Sequence, residues 1–355
     1  MLQAFFHSWE RRLASVDKNR IVRPFDWGLE WISANGHTAT LSGAPAGVPG
    51  DAREALTTWV ASVMANTDAF FTPPPTASYT LSEPTDTGER LLTFPSALET
   101  PHPPNNTVYC RYFPARGASA HRAAVLVLPQ WNADAGGHVG LCKLLTMNGM
   151  TALRLSLPYH DRRRPPELER ADYIVSSNVA RTVQVCRQAV LDARRAIAWL
   201  ANEGFDRIGI IGTSLGSCLS LLTTAHEPLI RAQALNHISP HFADVVWRGL
   251  STEHVRRGFD GHIELDLLRA MWKPISPWWY LDRVRDRQTL LVYARYDLTF
   301  PVDLSEDLVR EFARRGVPHE VSVLRCGHYT TGKTPFKYVD GWVLTRFLKR
   351  NLLAL

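Results

Sequence analysis

The chain has 355 residues, 45% of them hydrophobic and 21% charged, with a formal net charge of +6. These are the proportions of a globular protein long enough to bury one large sheet and its helices and still carry an additional segment. No apolar run reaches the roughly 18 residues of a membrane span, and the charge forms no basic stripe with aromatics, so neither a membrane span nor a nucleic-acid partner is expected.

Taken in chain order, residues 5–13 and 51–71 read as amphipathic helices, separated by a stretch that includes the glycine- and proline-rich piece 42–50. Residues 1–75 are expected to form a helical N-terminal extension packed on the sheet of a main domain, residues 76–355. The Pro73-Pro74-Pro75 segment is a stiff connector, and residues 100–106 are a second turn region rich in Pro and Asn. Strands begin at 77–81 and 108–113, expected to be antiparallel at the sheet edge, and continue through the apolar runs 124–128 and 151–157. The loop after 157 carries Arg162-Arg163-Arg164. Residues 162–205 read as a long helical stretch whose apolar face includes Val179, Val183, Cys186 and Val190. A strand at 207–211, a helix at 217–225 and a strand at 232–238 follow. Residues 240–287 hold the large aromatics Trp247, Trp272, Trp278, Trp279 and Tyr280. They fit equally the lining of an acyl pocket or the core of a helical subdomain. A strand at 289–294, an amphipathic helix at 302–315 and a strand at 319–325 complete the pattern.

The five cysteines, at 110, 142, 186, 218 and 326, are odd in number and scattered. Without a CxxC pair they indicate neither a disulfide framework nor a zinc site. Residues 1–10 lack a basic region followed by an apolar stretch, so a cytoplasmic location is expected. Cys218 and Cys326 fall near the motifs described next, but small buried hydrophobe is their commoner role.

Gly212-Thr213-Ser214-Leu215-Gly216 lies where an apolar strand hands over to a helix. A G-x-S-x-G pentapeptide is weak by itself, yet strand, sharp turn and helix are the setting it needs to mount a serine nucleophile. The glycines leave room for the turn, and the helix N-terminus directs free N–H groups to where an oxyanion would form. A nucleophilic serine requires a base and an orienting acid. Asp297 lies just past the strand 289–294, and His328 follows the strand 319–325 behind Gly327. Asp303 also lies near a strand end, but its position fits an N-cap of the next helix. His160, His237, His241 and His319 are other histidines near loops or strand ends; only His328 has the right place in the order. In a parallel sheet, loops after successive strands open on one edge, so Ser214, Asp297 and His328 would converge there.

On these motifs residues from about 105 to 355 resemble the α/β-hydrolase superfamily. The run Leu155-Ser156-Leu157-Pro158-Tyr159-His160, the basic Arg162-Arg163-Arg164-Pro165 and the serine pentapeptide are similar to the narrower family called alpha/beta hydrolase domain containing 18. The resemblance implies a mostly parallel, doubly wound sheet with a helical cap inserted at about 240–287. It implies Ser214 as nucleophile, His328 as general base and acid, and Asp297 as orienting carboxylate. It implies hydrolysis of an ester, thioester or amide without saying which; a small-molecule acyl ester or thioester is the expected substrate, with no cofactor or metal. A peptidase of prolyl-oligopeptidase type and a catalytically silent binding protein of the same fold are the alternatives. The oxyanion donors are expected to be the N–H of Leu215 and that of Trp131 or Gln130, in a loop lacking the HGGG form. Tyr159 and Arg162 are candidate substrate contacts. The arginine run either attracts an anionic substrate or is simply solvated.

Overall fold

The computed structural model describes residues 2–17, 19–33, 51–115 and 122–353; the 42–50 piece lies outside them. Nine strands form one sheet: β1 (Thr80–Leu81), β2 (Arg90–Pro95), β3 (Thr107–Phe113), β4 (Ala123–Leu128), β5 (Thr151–Leu155), β6 (Arg207–Thr213), β7 (Ile230–Asn236), β8 (Gln288–Ala294) and β9 (Glu320–Leu324). Their order across the sheet is β1-β2-β3-β5-β4-β6-β7-β8-β9. The pairs β1/β2, β2/β3 and β3/β5 are antiparallel and all others parallel. Every residue of β4 and β5 is buried, as expected of central strands covered on both faces, which read as unbroken apolar runs.

The helices are α1 (Leu2–Ala14), α2 (Leu29–Ser33), α3 (Ala52–Ala65), α4 (Thr67–Phe71), α5 (Val139–Met147), α6 (Val179–Asn202), α7 (Leu215–His226), α8 (Phe242–Arg248), α9 (Glu253–Arg257), α10 (Leu265–Met271), α11 (Val302–Arg314), α12 (His328–Thr331) and α13 (Phe336–Leu353). Alternation along each strand sends side chains to two cores. Leu126, Leu153, Ile210, Leu235 and Leu291 meet α6, α7 and α11, while Val125, Val127, Ile211, Ala234 and Val292 meet α5, α13 and Phe6 of α1.

Several elements differ from the sequence reading. Residues 77–81 supply only two strand residues, and the hairpin partner β2 was not anticipated. The long helix starts at Val179, because Pro165 and Pro166 cannot continue a helix and Asn178 caps its N-terminus, accepting from Arg181 N at 2.9 Å. α2 and α4 lie on α6, where buried Gln184 donates to Trp31 O and Arg187 to Phe70 O, and α3 packs against α2, α4 and α10. Between β7 and β8, α8–α10 and short 3-10 turns fill the segment expected to be a cap. Of its aromatics, Trp272 and Tyr280 are core residues and Trp279 is exposed.

Candidate active site

The loops after β4, β6, β7, β8 and β9 open on one edge of the sheet, and three residues expected to meet there do so. Ser214 occupies the turn between β6 and α7 at φ 56° and ψ −120°, a backbone region that non-glycine residues adopt at a cost of about 1–3 kcal/mol. Its surroundings enforce that bend. A Cβ at Gly212 would stand 2.1 Å from Gly216 O, and one at Gly216 would stand 2.3 Å from Leu128 O. Ser214 N donates to Asn236 O, tying the turn to the end of β7.

His328 Nε2 lies 3.1 Å from Ser214 Oγ, and His328 Nδ1 lies 2.9 Å from Asp297 Oδ2. Asp297 is buried, and its Oδ1 accepts from Thr299 N at 2.8 Å and Phe300 N at 2.7 Å. Asp303, the alternative acid, is elsewhere: it sits in the first turn of α11 rather than at the cap position and pairs with Arg248.

A fourth residue joins them that the sequence reading noted only as a histidine near a strand end. His237, directly after β7 and at φ 57°, places Nδ1 3.0 Å from the same Asp297 Oδ2. Burial lowers its pKa first, and the neighbouring His328 lowers it further, so His237 is held neutral and donates Nδ1–H to the carboxylate. Burial also pushes His328 down, but the charge of Asp297 and its hydrogen bond together outweigh it, and the net shift is upward. For Asp297, burial alone would raise the pKa; the two histidines reverse this and hold the carboxylate well below the usual range. The useful sequence signal for His237 was its place, one residue beyond an apolar strand on the ligand-bearing edge.

The His328 loop is anchored by the N-terminal helix, which sequence patterns had set apart from the chemistry. Glu10 of α1 is buried and accepts from Tyr329 N at 2.9 Å and Thr330 N at 2.8 Å. Gly327 is needed because its Cβ would come within 2.4 Å of the Glu10 carboxyl carbon.

Trp131 is fixed in the loop after β4. Its indole N–H donates to Ala171 O at 2.9 Å, its ring stacks on His254, and Asn132 N donates to His160 Nε2 at 3.0 Å. Among the described residues the backbone N–H groups of Gln130, Trp131 and Leu215 have no hydrogen-bond partner; Leu215 is the first residue of α7, where the amides are free by construction. Trp131, Ser214 and Leu215 together line an apolar cavity of about 30 Å³ with Val175, Cys218 and Phe300. Ser214, His237 and His328 also line a much larger cleft of about 1520 Å³ that runs toward α5 and α13.

The other expected contacts fall differently. Tyr159 borders the cleft but is wholly buried, with its hydroxyl 3.0 Å from His102 Nδ1. The arginine run does not act as a unit. Arg163 is buried and ion-paired with Asp192 at 2.8 Å, whereas Arg162 and Arg164 are exposed on the cleft wall, Arg162 over the Tyr109 ring. His160 supports the Trp131 loop, His241 stacks on Trp278, and His319 donates to Val317 O. All five cysteines are free and buried; Cys218 lines the small cavity, and Cys326 Sγ contacts Thr331 Oγ1. No helix among the described residues is long and apolar enough to cross a membrane.

No family model and no curated protein matches the chain, so the narrower family resemblance gains no support. Solved structures do match. The acetyl xylan esterase from Paenibacillus sp. R4 is 16% identical with a TM-score of 0.58, covering 96% of this chain and 99% of that one. Acetyl xylan esterase 1 from Thermoanaerobacterium sp. JW/SL YS485 is 13% identical with a TM-score of 0.56, over 84% and 94% of the two chains. An acylaminoacyl peptidase from Pyrococcus horikoshii is 13% identical with a TM-score of 0.57 over 76% of this chain, which spans only 42% of the peptidase. At these identities the likeness is one of fold.

Proposed function

The chain has an α/β-hydrolase fold, and on that premise we propose that it is a serine hydrolase cleaving the carboxylic ester or thioester of a short acyl group. The observation that carries this reading is the unbroken relay from Ser214 Oγ through His328 to Asp297, at 3.1 and 2.9 Å. A hydroxyl is a weak nucleophile until a base takes its proton. His328 Nε2 accepts that proton as Ser214 Oγ attacks the acyl carbon. The imidazolium formed is stabilised by Asp297, which also fixes the ring's tautomer. Leu215 N–H and Trp131 N–H receive the oxyanion, each such donor being worth on the order of 3 kcal/mol of barrier. His328 then protonates the leaving group; in the second half His328 Nε2 takes a proton from water as it attacks the acyl carbon, the acyl–Oγ bond breaks, and the proton passes to Ser214 Oγ.

The 30 Å³ cavity beside Ser214 has room for little more than a methyl group and supports a short acyl chain. The large cleft supports a bulkier leaving portion. In the same reading residues 1–75 form an extension whose α1 steadies the His328 loop through Glu10, and 240–287 form a cap over the acyl side.

The test is a panel of p-nitrophenyl esters of graded chain length. Acetate is expected to be turned over best, and Ser214→Ala to lower kcat by at least about 10⁴-fold. Comparable turnover by Ser214→Ala would overturn the reading.

A further inference from the structure

On the α5/α13 side of Ser214 the cleft ends in a second polar group that the relay does not use. Thr213 and Asn236 are register partners in β6 and β7, so their side chains stand side by side on that face of the sheet. Each is covered by one residue. His138, at the start of α5, places Nε2 2.9 Å from Thr213 Oγ1, and Asp340 of α13 accepts from Asn236 Nδ2 at 2.9 Å. All four line the cleft.

Three buried atoms of this group have no hydrogen-bond partner among the described residues: His138 Nδ1, Asn236 Oδ1 and Asp340 Oδ1. Asn236 is only 1% exposed. Burial lowers the His138 pKa to about 4, so the ring is neutral and Nδ1 can accept while Nε2–H donates to Thr213. Burial likewise raises the Asp340 pKa to about 7, opposed by the Asn236 hydrogen bond. Unpartnered buried acceptors are costly, and an uncompensated buried carboxylate more so.

Chemistry narrows what would satisfy them. A hydroxyl offers one donor and leaves two acceptors bare; a quaternary ammonium offers none; a primary amide offers two and no charge. A primary ammonium offers three N–H donors and a positive charge.

We propose that Asp340, Asn236 and His138 form a subsite for a primary ammonium group carried on the leaving portion of the substrate. The small cavity assigns the acyl group to the opposite side of Ser214, and the subsite opens into the large cleft. This inference rests on the ester-hydrolase reading for its kinetic consequences but not for ligand binding.

Two measurements on the full chain separate those dependencies. In the first, hydrolysis of 4-(aminomethyl)phenyl acetate is compared with that of 4-ethylphenyl acetate, which differs by methyl for ammonium; p-nitrophenyl 6-aminohexanoate and heptanoate form the acyl-side arm. The kcat/KM ratio of charged to neutral ester is expected to be at least about tenfold in the leaving-group pair, near one in the acyl pair, and to collapse toward one in Asp340→Asn. In the second, 4-(aminomethyl)phenol and 4-ethylphenol are titrated calorimetrically into the Ser214→Ala protein, where only the amine should bind and Asp340→Asn should abolish binding. His138→Ala, which deletes one acceptor, should weaken both effects and serves if Asp340→Asn does not fold. Equal handling of the paired compounds by the wild type, a preference confined to the acyl arm, or an amine preference that survives Asp340→Asn would overturn the subsite. Absence of all ester turnover with amine binding intact would overturn the hydrolase reading and leave the subsite standing.

Discussion

Two carboxyl groups sit at the same end of the sheet, near the end of β7, in opposite electrostatic states. Asp297 accepts four hydrogen bonds: the Thr299 and Phe300 amides on one oxygen, His237 and His328 on the other. Asp340 accepts one, from Asn236. Burial pushes both pKa values upward, yet Asp297 is held as a carboxylate while Asp340 is raised to about 7. The difference shows that a neighbouring imidazole charge together with its hydrogen bonds, more than burial, decides whether an interior carboxyl is charged. A group already saturated with donors can orient a base. A group starved of them is available to a ligand.

The largest break in this comparison should come from removing the charge on the saturated side. Asp297→Asn is expected to lower kcat for p-nitrophenyl acetate by on the order of 10⁴-fold, since the amide no longer fixes the correct His328 tautomer. A smaller effect isolates the extra donor. His237→Ala should lower kcat by about 10- to 100-fold, the worth of one hydrogen bond to a charged group. With that N–H gone, Asp297 acts on His328 alone, so the acid limb of the kcat/KM profile, already above the ordinary imidazole value, should move to higher pH. A Gln at 237, able to donate, should restore much of the rate; a packing role alone would leave the profile where it was.

A separate effect is on stability, and there the two carboxyls should have opposite signs. Asp297, depressed on folding, contributes stability that is fully present above its unfolded pKa near 4 and is lost progressively as pH falls below that value through its depressed folded pKa. Asp340, raised on folding, binds its proton more tightly in the native state. Native stability therefore declines as pH rises from about 4 to about 7. Asp340→Asn should consequently gain on the wild type with rising pH, by on the order of 2–4 kcal/mol at pH 8, and show no gain at pH 4 in denaturant melts. A constant difference across pH would place Asp340 in contact with solvent or an internal cation.

The juxtaposition of Ser214, Asp297 and His328 was legible in the sequence because their placement follows chain order: a pentapeptide between strand and helix, then an acid and a histidine each after a later strand. The parallel core was equally plain, since strands covered on both faces must be apolar throughout. β2 was missed because Arg90-Leu91-Leu92-Thr93-Phe94-Pro95 ends in a proline and earns its place only by pairing with β3. Glu10 and Asp340 were invisible for a common reason. Each lies on a helix near one end of the chain, and nothing local announces that folding will set its carboxyl against a segment more than a hundred residues away. His237 is intermediate: its position was suggestive, but its partner is sixty residues on.

Labelling of the protein by a fluorophosphonate, followed by peptide mapping, reads the reactivity of the Ser214 hydroxyl itself. An activated hydroxyl at 214 predicts a single stoichiometric adduct on Ser214 that is lost in His328→Ala. An unlabelled Ser214 in the folded wild type, or labelling indifferent to His328, would contradict it.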